Sequence, residues 1–183
     1  GCAVTEEDLT RWETTLGGPK RLSAVVLHDK YPHELRVQAA MALIRMKPRK
    51  GQVVGIERLI KGTLVCDQEY IRPGEACQHT QLSPEARGKI LADLIPMIIV
   101  ELKKKPPEPA QKGQPPPDPS FKFKDAAFLL LTYDKTQVIA DEGLRKLLGN
   151  ALTDWTMADF DRRLNDRAQA YGMEQLLRHI GPS

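Results

Sequence analysis

Seven of the fourteen prolines in this chain fall within residues 106–119, PPEPAQKGQPPPDP. Each proline fixes φ and removes a backbone donor, so this stretch cannot be helix or sheet. It reads as a solvated, polyproline-like linker or a strap over the surface. On either side of it the apolar residues recur at helical spacing, and no convincing alternating strand occurs. Only 5% of the residues are aromatic. The core must therefore be built from Leu, Ile, Val, Ala and Met, which favours packed helices over a sandwich or barrel. A chain of 183 residues can bury one sizeable core. The expectation is one all-α domain over 1–183, carrying an insertion at 106–119 and a loop at 66–82.

The helix signals can be read in order. Thr5-Glu6-Glu7-Asp8 resembles a capping box, with acids in the first turn where they suit the helix dipole. Leu9, Trp12 and Leu16 follow at helical spacing, and Gly17-Gly18 stops the helix. Pro19 suits a new first turn, with Leu22, Val25 and Val26 as its buried stripe. Pro32 opens the next helix, in which Leu35, Ala39, Ala42, Leu43 and Met46 share a face. That helix stops near Pro48 and Gly51, and QVVGIERLIKGTLV reads as its antiparallel partner. Ser83-Pro84-Glu85 is an N-cap, a first-position proline and an acid, starting a helix that runs to about Lys105 with a bend near Pro96. The patterns FKFKDAAFLLLTYD, TQVIADEGLRKLLGNAL, TMADFDRRLNDRAQAY and GMEQLLRHIG all read as helix. The most apolar run, Ile90 to Leu102, contains Asp93, Pro96 and Glu101 and is too short for a membrane span.

A short pattern, Gly-x-x-x-Leu with an apolar continuation, recurs at Gly18, Gly55, Gly143 and Gly172. The first two glycines lie 37 residues apart and the last two 29, against roughly 35 to 45 for a helical-hairpin repeat. PHELRVQAAMALIRM, with Pro32, Arg36, Ala39-Ala40, Ala42 and Leu43, resembles the first helix of a HEAT repeat, and VVGIERLIKG resembles the second. KDAAFLLLTYD followed by EGLRKLLGNAL is a looser copy. The likeness is good over Gly18–Leu64 and loose over Phe121–Gly181, while the proline-rich segment and the Cys66–Cys77 loop depart from the pattern. The resemblance implies stacked antiparallel hairpins, a HEAT-like α-solenoid, in which each hairpin buries its apolar face against a neighbour.

Cys66 and Cys77 lie in one inter-helix loop, CDQEYIRPGEACQH. Three readings stand: a disulfide closing the loop, two free thiols, or a metal site with His79 added and Asp67 as a further candidate ligand. The spacing matches none of the usual zinc patterns, and the expectation is the disulfide. A disulfide belongs to an oxidising compartment. Cys2 is then the odd cysteine. Gly1-Cys2 resembles the junction at which a bacterial lipoprotein is cleaved and acylated. Gly1 to Thr5 also fits a myristoylation pattern with a palmitoylated neighbour, and an unremarkable terminal residue without a role is the third reading. Glu6-Glu7-Asp8 would repel an anionic cytoplasmic leaflet. Together with the disulfide this favours the lipoprotein, with lipidation at Cys2.

No catalytic motif stands out. His28, His33, His79 and His179 are scattered, and no nucleophile elbow, phosphate loop or dinucleotide fingerprint occurs. Asp154, Asp159, Asp161 and Asp166 suit a solvated helix face better than acid–base work, and Trp12 and Trp155 suit a core. The net charge of +3, with acids and bases interspersed, does not ask for a nucleic-acid partner. Lys47-Pro48-Arg49-Lys50 sits at a hairpin turn and Lys103-Lys104-Lys105 at a helix end, where solvated surface is the simplest reading.

The expectation is a non-catalytic scaffold or adaptor, without metal or cofactor, tethered to a bacterial cell envelope on its periplasmic side. A protein partner would meet the second helices, Gly55–Leu64 and Gly143–Leu152, at Arg58, Lys61, Arg145 and Lys146. The proline-rich segment would offer a second contact. The alternatives are a cytoplasmic location and a modifying enzyme of the bilin-lyase type. HEAT-like repeats occur in that family, and Cys66 or Cys77 would supply its reactive thiol.

Overall fold

A computed structural model describes residues 3–51, 54–70, 82–107, 118–133 and 137–158. The described chain forms α1 (Glu6–Trp12), α2 (Gly18–Leu27), α3 (His33–Arg45) and α4 (Gly55–Leu59), which continues as a π-helical turn over Ile60–Leu64. Then come α5 (Pro84–Lys103), α6 (Ser120–Thr132) and α7 (Glu142–Met157). The chain is all-α, with no strand among the described residues. Cys2, Cys77, His79, most of the proline-rich stretch, the pattern TMADFDRRLNDRAQAY from Asp159 onward and all of GMEQLLRHIG lie outside them, and Thr156 and Met157 belong to the end of α7. The chain divides into two compact units: Gly1–Leu94 with Tyr133–Val138, and Ile95–Thr132 with Ile139–Ser183.

In the first unit, α1 begins on a full capping box. The Asp8 amide donates to Thr5 Oγ1 (3.3 Å), and the Thr5 amide donates back to Asp8 Oδ2 (2.8 Å). The Thr5 amide, aided by the Thr5 hydroxyl and Arg11, holds the Asp8 carboxyl below the usual carboxylate range. Leu9 and Trp12 are buried, but Leu16 is 78% exposed. The helix ends at Trp12, so Leu16 leaves the stripe that its spacing suggests. The following turn must be tight, because a Cβ on Gly18 would lie 1.7 Å from the Trp12 carbonyl oxygen. Pro19 then occupies the first turn of α2, and Leu22, Val25 and Val26 are buried as expected.

The third helix is the centre of this unit and packs on α1, α2 and α4. Every residue from Ala39 to Ile44 is buried, a full girdle rather than the single face that its spacing suggests. Alanines at 39, 40 and 42 let neighbouring backbones approach. Arg36 reaches back from α3 to the last carbonyls of α2, donating to Val26 O (2.9 Å) and Leu27 O (3.4 Å). It thereby satisfies acceptors that the helix end leaves open. The antiparallel partner expected after Gly51 is present in altered form. Gly55, at φ +70°, starts α4, and after five residues the ladder widens, with the Val65 amide bonding Ile60 O (2.9 Å). Ser83 caps α5 by accepting from the Ala86 amide (3.1 Å). Pro96 stands inside α5, just past the residue where the chain passes from one unit to the other.

In the second unit Ile95, Ile98 and Leu102 of α5 are buried, and α6 pairs with α7. The sequence pattern runs this last helix back to Thr136. Instead Asp141 caps it, accepting from the Leu144 amide (3.0 Å), and α7 starts at Glu142. Ile139 of this unit is buried without being helical, as is Val138 of the first unit, which their apolar character conceals.

Gly88 in α5 and Gly149 in α7 have open space where a Cβ would stand, and neither has a positive φ. Gly88→Ala and Gly149→Ala should each stabilise the protein by about 0.5–1 kcal/mol, because alanine loses less chain entropy in a helix. Thermal melts of the two variants would check this.

Candidate functional site

The chemistry of the first unit gathers where α4 gives way to the π-helical turn. Arg58, on the last turn of α4, is only 7% exposed. Its Nε donates to Ser23 Oγ (3.0 Å) on α2, a fully buried hydroxyl. Ser23 Oγ lies 3.0 Å from Thr63 Oγ1, and Thr63 donates to the Arg58 carbonyl (2.9 Å). The protons balance if Ser23 accepts from Arg58 and donates to Thr63, so the three residues form a closed polar loop inside the unit. Thr63 stands five residues after Arg58, and its hydroxyl takes a carbonyl beside the widened ladder.

The expectation of Arg58 at a partner-binding surface is therefore corrected. The helix is too short, and its last turn too close to α2, for residue 58 to face solvent. Lys61 is half-buried, 3.9 Å from a Glu57 carboxylate oxygen and over the Tyr70 ring at 5.3 Å. Asp67 is buried, accepting from the Tyr133 hydroxyl (2.8 Å) and the Glu69 amide (3.1 Å). This anchors the start of the Cys66 loop. Cys66 itself is a half-buried free thiol whose Sγ accepts from Gln68 Nε2 (3.1 Å). Its expected disulfide partner Cys77 and the metal candidate His79 fall outside the described residues.

In the second unit Arg145 is half-buried and donates to Leu131 O (3.3 Å), tying α7 to the end of α6. Lys146 is exposed. Two exposed apolar side chains of the same helix are the more informative. Leu147 is 57% exposed and Met157 67%. At 100° per residue, Gly143, Lys146, Leu147, Asn150, Asp154 and Met157 fall within an arc of about 100°, and all six are exposed. The opposite face holds Leu148, Ala151, Leu152 and Trp155, all buried.

This also corrects the internal repeat. The leucine four residues after each glycine is fully buried at Leu22 and Leu59, yet exposed at Leu147. The third copy is out of phase by one residue, with Leu148 in the core. The signal is in the sequence: Leu148, Leu152 and Trp155 make a stripe that excludes Leu147.

Within that stripe Trp155 meets Phe121 edge-to-face, centroids 4.8 Å apart, and its Nε1 donates to Ser120 Oγ (2.7 Å). Ser120 donates in turn to Asp118 Oδ1 (2.7 Å). Lys124 is buried over both rings and ion-paired with Asp125.

The chain matches no protein-family model, no curated protein sequence and no solved structure.

Proposed function

We propose that the chain is a non-catalytic helical scaffold that docks a protein partner on the outer face of α7. The observation that carries this is the pair of large apolar side chains left in solvent on one face, Leu147 and Met157. Asn150 and Asp154 lie between them on this face, with Lys146 at its edge. Large apolar anchors interspersed with polar groups suit a helix face that a protein partner covers part of the time. Of the side chains expected to bind, Lys146 belongs to this face; Arg145 braces it from behind.

HEAT-like stacking of the hairpins is part of this reading. Its support is that α3 packs on α4 and α6 on α7, the two pairings the resemblance implies. The tether is a lipid on Cys2 at the periplasmic side of a bacterial envelope membrane, and its support is the Gly1-Cys2 junction alone. No described helix is long and apolar enough to cross a membrane.

The test is site-specific photo-crosslinking in the producing cell. A photoreactive residue at Leu147 or Met157 should give one adduct of defined mass, which Lys146→Glu weakens. The same residue at exposed Ala92 should give none. Equal labelling at all three sites, or none at 147 and 157, would overturn the docking face.

A further inference from the structure

We propose that the turn between α1 and α2 and the end of α3 form one basic, leucine-bearing edge that docks on an anionic phospholipid bilayer. Two stretches distant in sequence make this edge, residues 11–21 and 45–51. Arg49 holds them together, donating from Nη1 to Thr15 O (2.6 Å) and from Nη2 to Glu13 O (3.3 Å). Arg45 adds two bonds from Nε and Nη2 to Glu13 Oε1 (3.1 and 2.7 Å).

The joined stretches contain Arg11, Lys20, Arg21, Arg45, Lys47, Arg49 and Lys50 against a single acid, Glu13, which Arg45 neutralises. The whole chain carries only +3. Outside this edge, acids therefore outnumber bases, and the positive excess of the molecule is gathered here. Lys20, Arg21, Lys47 and Lys50 are exposed, and none of the four has a carboxylate partner among the described residues. Arg21 lies over the Trp12 ring, 5.5 Å from its centroid.

In the turn between α1 and α2, between Arg11 and Lys20 in the chain, stands Leu16, the most exposed large apolar side chain described, at 78%. Gly17 and Thr14 beside it are exposed as well. A nucleic-acid backbone would use the cations but has no place for an exposed leucine. A bilayer uses both. Lysine and arginine heads meet headgroup phosphates while their stems lie along the interface, and one apolar side chain enters the acyl boundary. The surface is separate in sequence from the face of α7, and the proposal stands whether or not Cys2 carries a lipid.

The full chain without an acyl group, mixed with sedimenting vesicles, provides the test. It should bind equimolar phosphatidylcholine and phosphatidylglycerol but not phosphatidylcholine alone, and added salt should weaken the binding. Lys47→Ala with Lys50→Ala should lower the partition constant by roughly twenty-five-fold, at about fivefold per lysine. Leu16→Asp should lower it further, and Leu16→Trp should raise it. All these side chains are exposed, so circular dichroism and melting should stay as in the parent protein. Leu147→Asp should leave vesicle binding unchanged, so this test and that of the α7 face can fail separately. Equal binding to both vesicles, no binding, or indifference to the lysine pair would overturn the proposal. So would indifference to residue 16, or equally tight binding to soluble polyglutamate, either of which would make the edge a general polyanion surface.

Discussion

Replacing Trp155 with alanine should lower the stability of the second unit by about 4 kcal/mol, the usual range for removing a buried large aromatic. The side chain is 2% exposed, so its whole ring would become a void between α6 and α7. Three contacts go with it: the edge-to-face packing on Phe121, the Nε1 bond to Ser120, and one of the two rings over which Lys124 lies. These differ in weight. Ser120 keeps its bond to Asp118, and Lys124 keeps both the Phe121 ring and its ion pair with Asp125. Packing should therefore account for most of the loss. Ser120→Ala separates the two effects, because it keeps the indole in place and removes the acceptor of its Nε1. It should cost about 1–3 kcal/mol, the usual loss when a buried donor is left without its partner. Urea titrations followed by the ellipticity of the full chain would measure both. Equal losses in the two variants would mean that the Ser120 bond, and not the ring, holds the hairpin.

The sequence reveals helix starts far better than it reveals surfaces, because caps are local. Thr5 with Asp8, Pro19 and Ser83 each act within three or four residues, and each begins a helix where its chemistry says it should. Long-range contacts have no such local signature. The exposure of Leu16 follows from an early helix end at Trp12, and the tight turn at Gly18 fixes that end from the far side. Charge behaves in the same way. Read along the chain, acids and bases look interspersed. Arg49 then brings two basic stretches together, and a patch forms that no window of the sequence contains. On α7 the reverse holds: the stripe of Leu148, Leu152 and Trp155 is readable, but the recurring Gly-x-x-x-Leu points to Leu147, one residue out of phase.

Arg58 is the sharpest case, because a charged residue on a short second helix reads as surface by default. Arg58→Ala should destabilise the first unit by about 3 kcal/mol, while Lys61→Ala, three residues on, should stay within about 0.5 kcal/mol. The difference rests on what each side chain leaves behind. Lys61 is half in water and 3.9 Å from Glu57, an ion pair of the kind that contributes little. Arg58 is enclosed, and its aliphatic stem fills space among α2 and the π-helical turn. Removing it opens a cavity and takes from the buried Ser23 oxygen one of its two partners. Ser23→Ala approaches the same loop from the other side. It keeps the stem but strips Arg58 Nε of its acceptor, and should cost about 1–3 kcal/mol. The pair should not be additive, since both variants break one bond, and the double variant should fall short of their sum. Denaturant midpoints of the three variants would decide. A loss for Arg58→Ala no larger than that for Lys61→Ala would return residue 58 to the surface, and with it the partner-binding role its sequence position suggests.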